Sequence, residues 1–129
     1  MTDTICAIAT SVGVSAINII KISGPKAISI VNSLFTSDLT RKKSGTINYG
    51  FIKNEDEIID EVLVSVFIAP NSSTGEDVIE INSHGGISVT NKILELLLIN
   101  GCRLAEPGEF LKRSFLNGKK DLLEAESIS

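Results

Sequence analysis

Isoleucine, valine and leucine recur at spacings that change several times along the chain. Thr4 to Ala9 and Ala16 to Ile22 are short Ile-rich runs joined by a loop around Gly13, which predicts two strands. Beyond Gly24 the spacing widens. Ala27, Ile28, Ile30, Val31, Leu34 and Phe35 trace one face of a helix, with Ser23 or Gly24 near its N-cap and Pro25 in its first turn. Thr36 to Ser44 is a polar, basic connection. Apolar residues then alternate from Ile47 to Phe51, a polar turn falls at Asn54 to Asp56, and Ile58 to Ala69 follows with Val62, Val64 and Val66 on one face. That is the pattern of a hairpin. Pro70 to Gly75 reads as a loop and Asp77 to Asn82 as a strand, with Val78, Glu80 and Asn82 facing one way and Ile79 and Ile81 the other. Gly85-Gly86 opens a helix that runs to about Asn100, with Gly101 as its C-cap. Cys102 to Ala105 is a brief extended piece. Pro107 to Asn117 is a short helix ended by Gly118, and Asp121 starts another. The order predicts an α+β fold, a mixed β-sheet with packed helices.

Composition narrows the functional classes. The 129 residues suffice for one domain with a real core. Lys plus Arg number 12 and Asp plus Glu 16, for a formal charge of −4. A free-standing nucleic-acid binder needs a basic surface, so that class is disfavoured, though a local basic patch is not. The N-terminal residues carry no basic stretch before the short apolar run, and no apolar run approaches the ~20 residues that cross a bilayer. Cys6 and Cys102 are the only cysteines, expected to be reduced packing residues of a cytoplasmic protein.

Several chemistries lack their residues. A phosphate-binding P-loop requires Gly, four residues, then Gly-Lys-Ser/Thr, because its amides cradle the phosphates and its hydroxyl holds magnesium. Gly118-Lys119 is followed by Lys120, and Arg113 stands where the first glycine belongs. No Gly-x-Ser-x-Gly elbow occurs, and one histidine without Cys-x-x-Cys disfavours zinc. His84-Gly85-Gly86, at a strand-to-helix turn, admits two readings: a turn whose amides face an anionic ligand, or a tight turn that needs glycine sterically. Glu80, flanked by Ile79 and Ile81, is either a solvated strand residue or a carboxylate that receives donors from a ligand. Lys21 and Lys119 read as surface cations or as point charges for a carboxylated ligand.

Joint arrangement adds what single residues lack. Asp3-Thr4-Ile5-Cys6-Ala7-Ile8-Ala9-Thr10 precedes Ile19-Ile20-Lys21-Ile22-Ser23-Gly24. Ala69-Pro70-Asn71-Ser72-Ser73-Thr74-Gly75-Glu76-Asp77-Val78-Ile79-Glu80-Ile81 then leads to His84-Gly85-Gly86. Arg103-Leu104-Ala105-Glu106-Pro107-Gly108-Glu109-Phe110 leads to Lys112-Arg113-Ser114-Phe115-Leu116-Asn117-Gly118-Lys119, and Asp121-Leu122 and Ala125-Glu126 follow. In this order the blocks resemble the N-terminal domain of the tRNA-modification GTPases of the MnmE (TrmE) family.

The resemblance implies a domain, residues 1–118, similar to the tetrahydrofolate-binding fold of the glycine-cleavage aminomethyltransferase. Residues 119–129 would begin a helical domain that carries a GTPase. It implies a homodimer that binds 5-formyltetrahydrofolate at or near the dimer interface, with contacts falling on Lys21, Glu80 and Lys119. GTP, magnesium and potassium would belong to the full-length protein, and this part is expected to be non-catalytic. With a flavin-dependent partner protein, the family adds a carboxymethylaminomethyl-type group to the wobble uridine of tRNA, with folate as one-carbon carrier. The family usually has Arg where Lys21 stands, and Thr-Pro-Pro-Gly-Arg-Gly-Gly where this chain has Thr10-Ser11-Val12-Gly13-Val14-Ser15-Ala16. Lys120 stands where the family is often apolar. Two alternatives remain open: a stand-alone folate-dependent aminomethyl transfer protein, and a module that only dimerises.

Overall fold

The structure, a computed structural model, describes residues 3–9 and 18–119. The loop around Gly13, the altered Ser11–Ala16 stretch, Lys120 and the helix expected from Asp121 lie outside them. Six strands and three helices follow in chain order: β1 (Ile5–Ile8), β2 (Asn18–Ser23), α1 (Ala27–Leu34), β3 (Thr46–Asn54), β4 (Glu57–Phe67), β5 (Val78–Ser83), α2 (Gly86–Ile99), β6 (Arg103–Leu104) and α3 (Glu109–Leu116). The strands form one sheet in the order β3-β4-β5-β2-β1-β6. All neighbours are antiparallel except β1 and β6, so the sheet is mixed, as the patterning predicts.

Alternation along each strand sorts the side chains onto two faces. One face carries Cys6, Ile20, Ile22, Ile52, Val62, Val64, Val66, Ile79 and Ile81, all fully buried. Helices α1 and α2 cover it with Ala27, Ile30, Val31 and Leu34 and with Ile93, Leu96 and Leu97. Burying each such aliphatic side chain contributes about 1.5–3 kcal/mol, which makes this layer the main source of stability.

The start of α1 differs from expectation. Ser23 is still strand, and its hydroxyl turns away to donate to Glu76 Oε1 at 2.7 Å. The capping oxygen comes instead from Thr4, whose Oγ1 accepts from the Lys26 amide at 2.9 Å. A cap supplied from 22 residues upstream leaves no local signature. The close approach explains Gly24: its φ is 144°, and a Cβ there would lie 2.6 Å from Thr4 Cα.

The opposite face of the sheet carries Ile19, Lys21 and Ser23 from β2, Glu80 and Asn82 from β5, Leu63, Ser65 and Phe67 from β4, and Ile47, Tyr49 and Phe51 from β3. Helix α3 approaches it at the β2 end. Further out the face is half-open, with Ile47 and Tyr49 exposed by 68% and 60%.

Candidate functional site

Lys21 and Glu80 sit directly opposite each other in the β2–β5 ladder. Directly paired residues of an antiparallel ladder project to the same side, so cation and carboxylate share the half-open face. Ser65 lies opposite Glu80 on the far side, and Asn82 follows two residues along β5. The Lys21 ammonium lies over the Phe110 ring of α3, 5.2 Å from its centroid. Glu80 is half-buried, and among the described residues its carboxylate forms no hydrogen bond or ion pair. Two parallel acceptor oxygens at a half-buried position suit a ligand that presents two N–H donors.

Lys119 stands apart. It follows α3, is exposed, and its Nζ donates to the Pro70 carbonyl at 2.9 Å. Among the described residues no contact joins it to Lys21 or Glu80. Its place is the 70–76 loop, to which the end of α3 is stitched by Ser114 Oγ donating to Ser73 O at 2.6 Å and Asn117 Nδ2 donating to Thr74 O at 2.9 Å.

Between these two positions lies a charged clamp. Arg113 is 1% exposed, yet its guanidinium meets three carboxylates. It donates to Asp3 Oδ1 at 2.6 Å, to the Asp3 carbonyl at 2.8 Å and to both oxygens of Glu76 at 3.1 and 3.2 Å. Glu109, one turn earlier on α3, takes a two-pronged contact from Arg103 at 2.6 and 3.0 Å. The Arg103 hydrogen bond holds the Glu109 carboxyl at about 2, well below the usual carboxylate range. Arg103 and then Arg113 do the same for Asp3, also to about 2. Desolvation works against the Arg113 charge, but Glu76 and Asp3 outweigh it, so its pKa is raised. Ser23 Oγ, at 2.8 Å from Thr74 Oγ1, ties the Glu76 end to strand β2.

The His84-Gly85-Gly86 turn shows the steric need for glycine: a Cβ on Gly85 would lie 2.7 Å from Val89 Cβ, and Gly86 has a φ of 83°. The Asp60 carboxylate accepts from the His84 amide at 2.8 Å, the Gly85 amide at 3.2 Å and Ser83 Oγ at 2.7 Å. An internal anion thus takes two of the amides that a ligand at this turn would use. Cys6 and Cys102 are free and buried side by side in the core.

Three contributors escaped the sequence reading: Phe110 beside Lys21, Arg113 as the hub of the clamp, and Asp60 as the anion at the turn. The first two had a signal. Glu109 and Arg113 are four residues apart, helix-face spacing for an ion pair, within the most specific blocks of the chain. Asp60 had none, because its partners lie 23 to 25 residues away.

The fold and this face define an α+β domain in which one sheet face is sealed by helices and the other left part-open around a lysine–carboxylate pair. The family described as GTP-binding protein TrmE N-terminus matches residues 4–119, and the chain belongs to it. Similar curated relatives are tRNA modification GTPase MnmE of Streptococcus thermophilus, 56% identical over 127 residues, and that of Acholeplasma laidlawii, 57% identical over 128. The protein of the same name from Lactococcus lactis subsp. lactis is 56% identical over 127 residues. Each match covers 98% of this chain but only 28 to 29% of the relative, so the chain spans less than a third of their length.

Proposed function

We propose that this chain is the folate-binding and dimerisation domain of a tRNA modification GTPase, and that its ligand is a reduced folate such as 5-formyltetrahydrofolate. The observation that carries the folate reading is the Lys21–Glu80 pair on the half-open face, with acceptor capacity of Glu80 unmet by described residues. The Glu80 carboxylate would take two hydrogen bonds from the amino-pyrimidine edge of the pterin. Lys21 and Lys119 would meet anionic parts of the ligand as point charges. In this reading the fold groups with the tetrahydrofolate-binding fold of the glycine-cleavage aminomethyltransferase, the folate is the one-carbon carrier, and GTP, magnesium and potassium are handled elsewhere in the full-length protein. These 129 residues contain no P-loop pattern that would hold GTP. The cytoplasmic full-length protein, with a flavin-dependent partner, would add the carboxymethylaminomethyl-type group to the tRNA wobble uridine.

Calorimetric titration with 5-formyltetrahydrofolate tests this, at protein concentrations that populate a dimer. The expected result is saturation near one folate per chain. Glu80→Gln is expected to weaken binding by about 1.5–3 kcal/mol, the scale of a charged hydrogen bond. Full affinity in that variant would remove Glu80 from the site. Absence of binding by the unsubstituted chain would overturn the folate reading. The exposed Ile47 and Tyr49 favour a second reading in that case, a module that only dimerises.

A further inference from the structure

We propose that Arg113 is a positioning residue for the Lys21–Glu80 site, seating α3 so that Phe110 lies against Lys21; as a statement about ligand binding this rests on the folate reading above. Lys21 and Ser23 are two residues apart on one face of β2, and Phe110 and Arg113 are three apart on one face of α3. The two pairs meet rung by rung. Phe110 lies 5.2 Å below the Lys21 ammonium, and Arg113 reaches Ser23 through Glu76, with bonds of 3.1 and 2.7 Å. The hydroxyl of Ser23 thus fixes the helix at one rung, and the aromatic ring meets the candidate site at the next.

The composition of α3 shows why a charged clamp is needed. Its buried side chains are Arg113 and Ser114, whereas Phe115 and Leu116 are 46% and 58% exposed. Phe110 and Leu111 are only half-buried, so apolar burial holds this helix on the sheet less firmly than it holds α1 and α2. A buried ion pair adds little net stability, because desolvation consumes most of the Coulomb gain, but it is strict about geometry. The Arg113 Nε has no hydrogen-bond partner among the described residues, a further cost that a purely stabilising contact would not carry. The planar fork spans Asp3 on one side and Glu76 on the other with its donors in a fixed geometry, which the compact ammonium of a lysine does not reproduce. The same helix leads directly into Lys119, so its seating also sets where that ammonium meets the 70–76 loop.

The test has two readouts, one of which needs no ligand. In the unsubstituted protein the ring current of Phe110 shifts the side-chain proton resonances of Lys21, and Phe110→Leu abolishes that shift. In Arg113→Lys the shift is expected to shrink while far-ultraviolet circular dichroism stays native. Affinity for 5-formyltetrahydrofolate is expected to fall roughly tenfold, as when a supporting partner of a binding residue is removed at other sites. The double variant with Phe110→Leu is expected to bind no more weakly than Arg113→Lys alone, since both act through the same contact. If Arg113→Lys fails to fold, Glu76→Gln keeps the shape, loosens the same fork and replaces it. An unchanged Lys21 shift in the folded variant, or additive affinity losses in the double variant, overturns the proposal. If the unsubstituted protein binds no folate, the folate reading fails alone, and the Lys21 shift still decides whether Arg113 sets the seat of Phe110.

Discussion

Gly75 shows how a single residue can be demanded by a distant one. Its φ is 84°, and a Cβ on it would stand 2.8 Å from the Cβ of Asn117, the residue that closes α3. Gly75→Ala is therefore expected to lose roughly 1–3 kcal/mol by combining left-handed strain with overpacking, read as a lowered urea midpoint. An unchanged midpoint would mean that the 70–76 loop yields freely. Glu109 makes a pH prediction. Its folded pKa is depressed from 4.5 to about 2 by Arg103 first and the Glu106 amide next, so its contribution is present above about 4.5 and is lost as pH falls toward 2. Thermal unfolding across that window should drop less steeply in Glu109→Gln than in the unsubstituted protein. Equal slopes would show that the Arg103 contact does not survive in solution. The residue scale is also where the sequence spoke least clearly. Glu80 and Lys21 each read either as a surface charge or as a ligand contact, and the β2–β5 register is what makes them neighbours.

Elements were far more legible, because their causes are local. The hairpin Thr46–Phe67 shows in the alternation from Ile47 to Phe51 and at Val62, Val64 and Val66, and α2 in a wide apolar stripe closed by Gly101. The failures share one physical cause, side chains that act at long range. Thr4 caps α1 across 22 residues, and Asp60 neutralises the start of α2 from the neighbouring strand. Asp60→Ala should consequently behave as the loss of a cap although Asp60 lies in a strand. About 1–2 kcal/mol of stability is expected to go, with faster amide exchange at His84 and Gly85. Unchanged exchange at those two amides would return the turn to the set of open anion sites. Helix α3 carried the opposite kind of warning. The sequence predicts a short helix there without assigning its faces, and the structure turns Phe115 and Leu116 outward and buries Arg113. Periodicity locates a helix without saying which side is held by apolar contact and which by charge.

At the scale of the whole molecule, the two faces of the sheet are unequal. The face under α1 and α2 is dry, whereas the other leaves Ile47 and Tyr49 open beside half-buried Phe51, Leu63 and Phe67. These residues belong to β3 and β4, at the end of the sheet away from α3, and among the described residues the outer side of β3 meets the short Phe35–Thr36 segment, through an isolated bridge from Phe35 to Ile52 and through Thr36 Oγ1, which accepts from the Phe51 amide at 3.0 Å. A contiguous apolar surface beside an edge strand is where a second copy of the chain would gain most by covering it. In the proposed homodimer this area forms part of the contact, next to the Lys21–Glu80 row. Alternation set Val62, Val64 and Val66 on one face of their strand, but it could not show that no helix of the described chain would cover the other. Ile47→Lys tests the assignment without threatening the fold. Its side chain is 68% exposed in the single chain, so the substitution should change monomer stability by less than about 0.5 kcal/mol. Burying the new ammonium against an apolar partner surface should raise the dimer dissociation constant at least tenfold, about 1.4 kcal/mol, measured by sedimentation over a range of protein concentrations. Self-association that persists at full strength, with the urea midpoint unchanged, would move the dimer contact off this face.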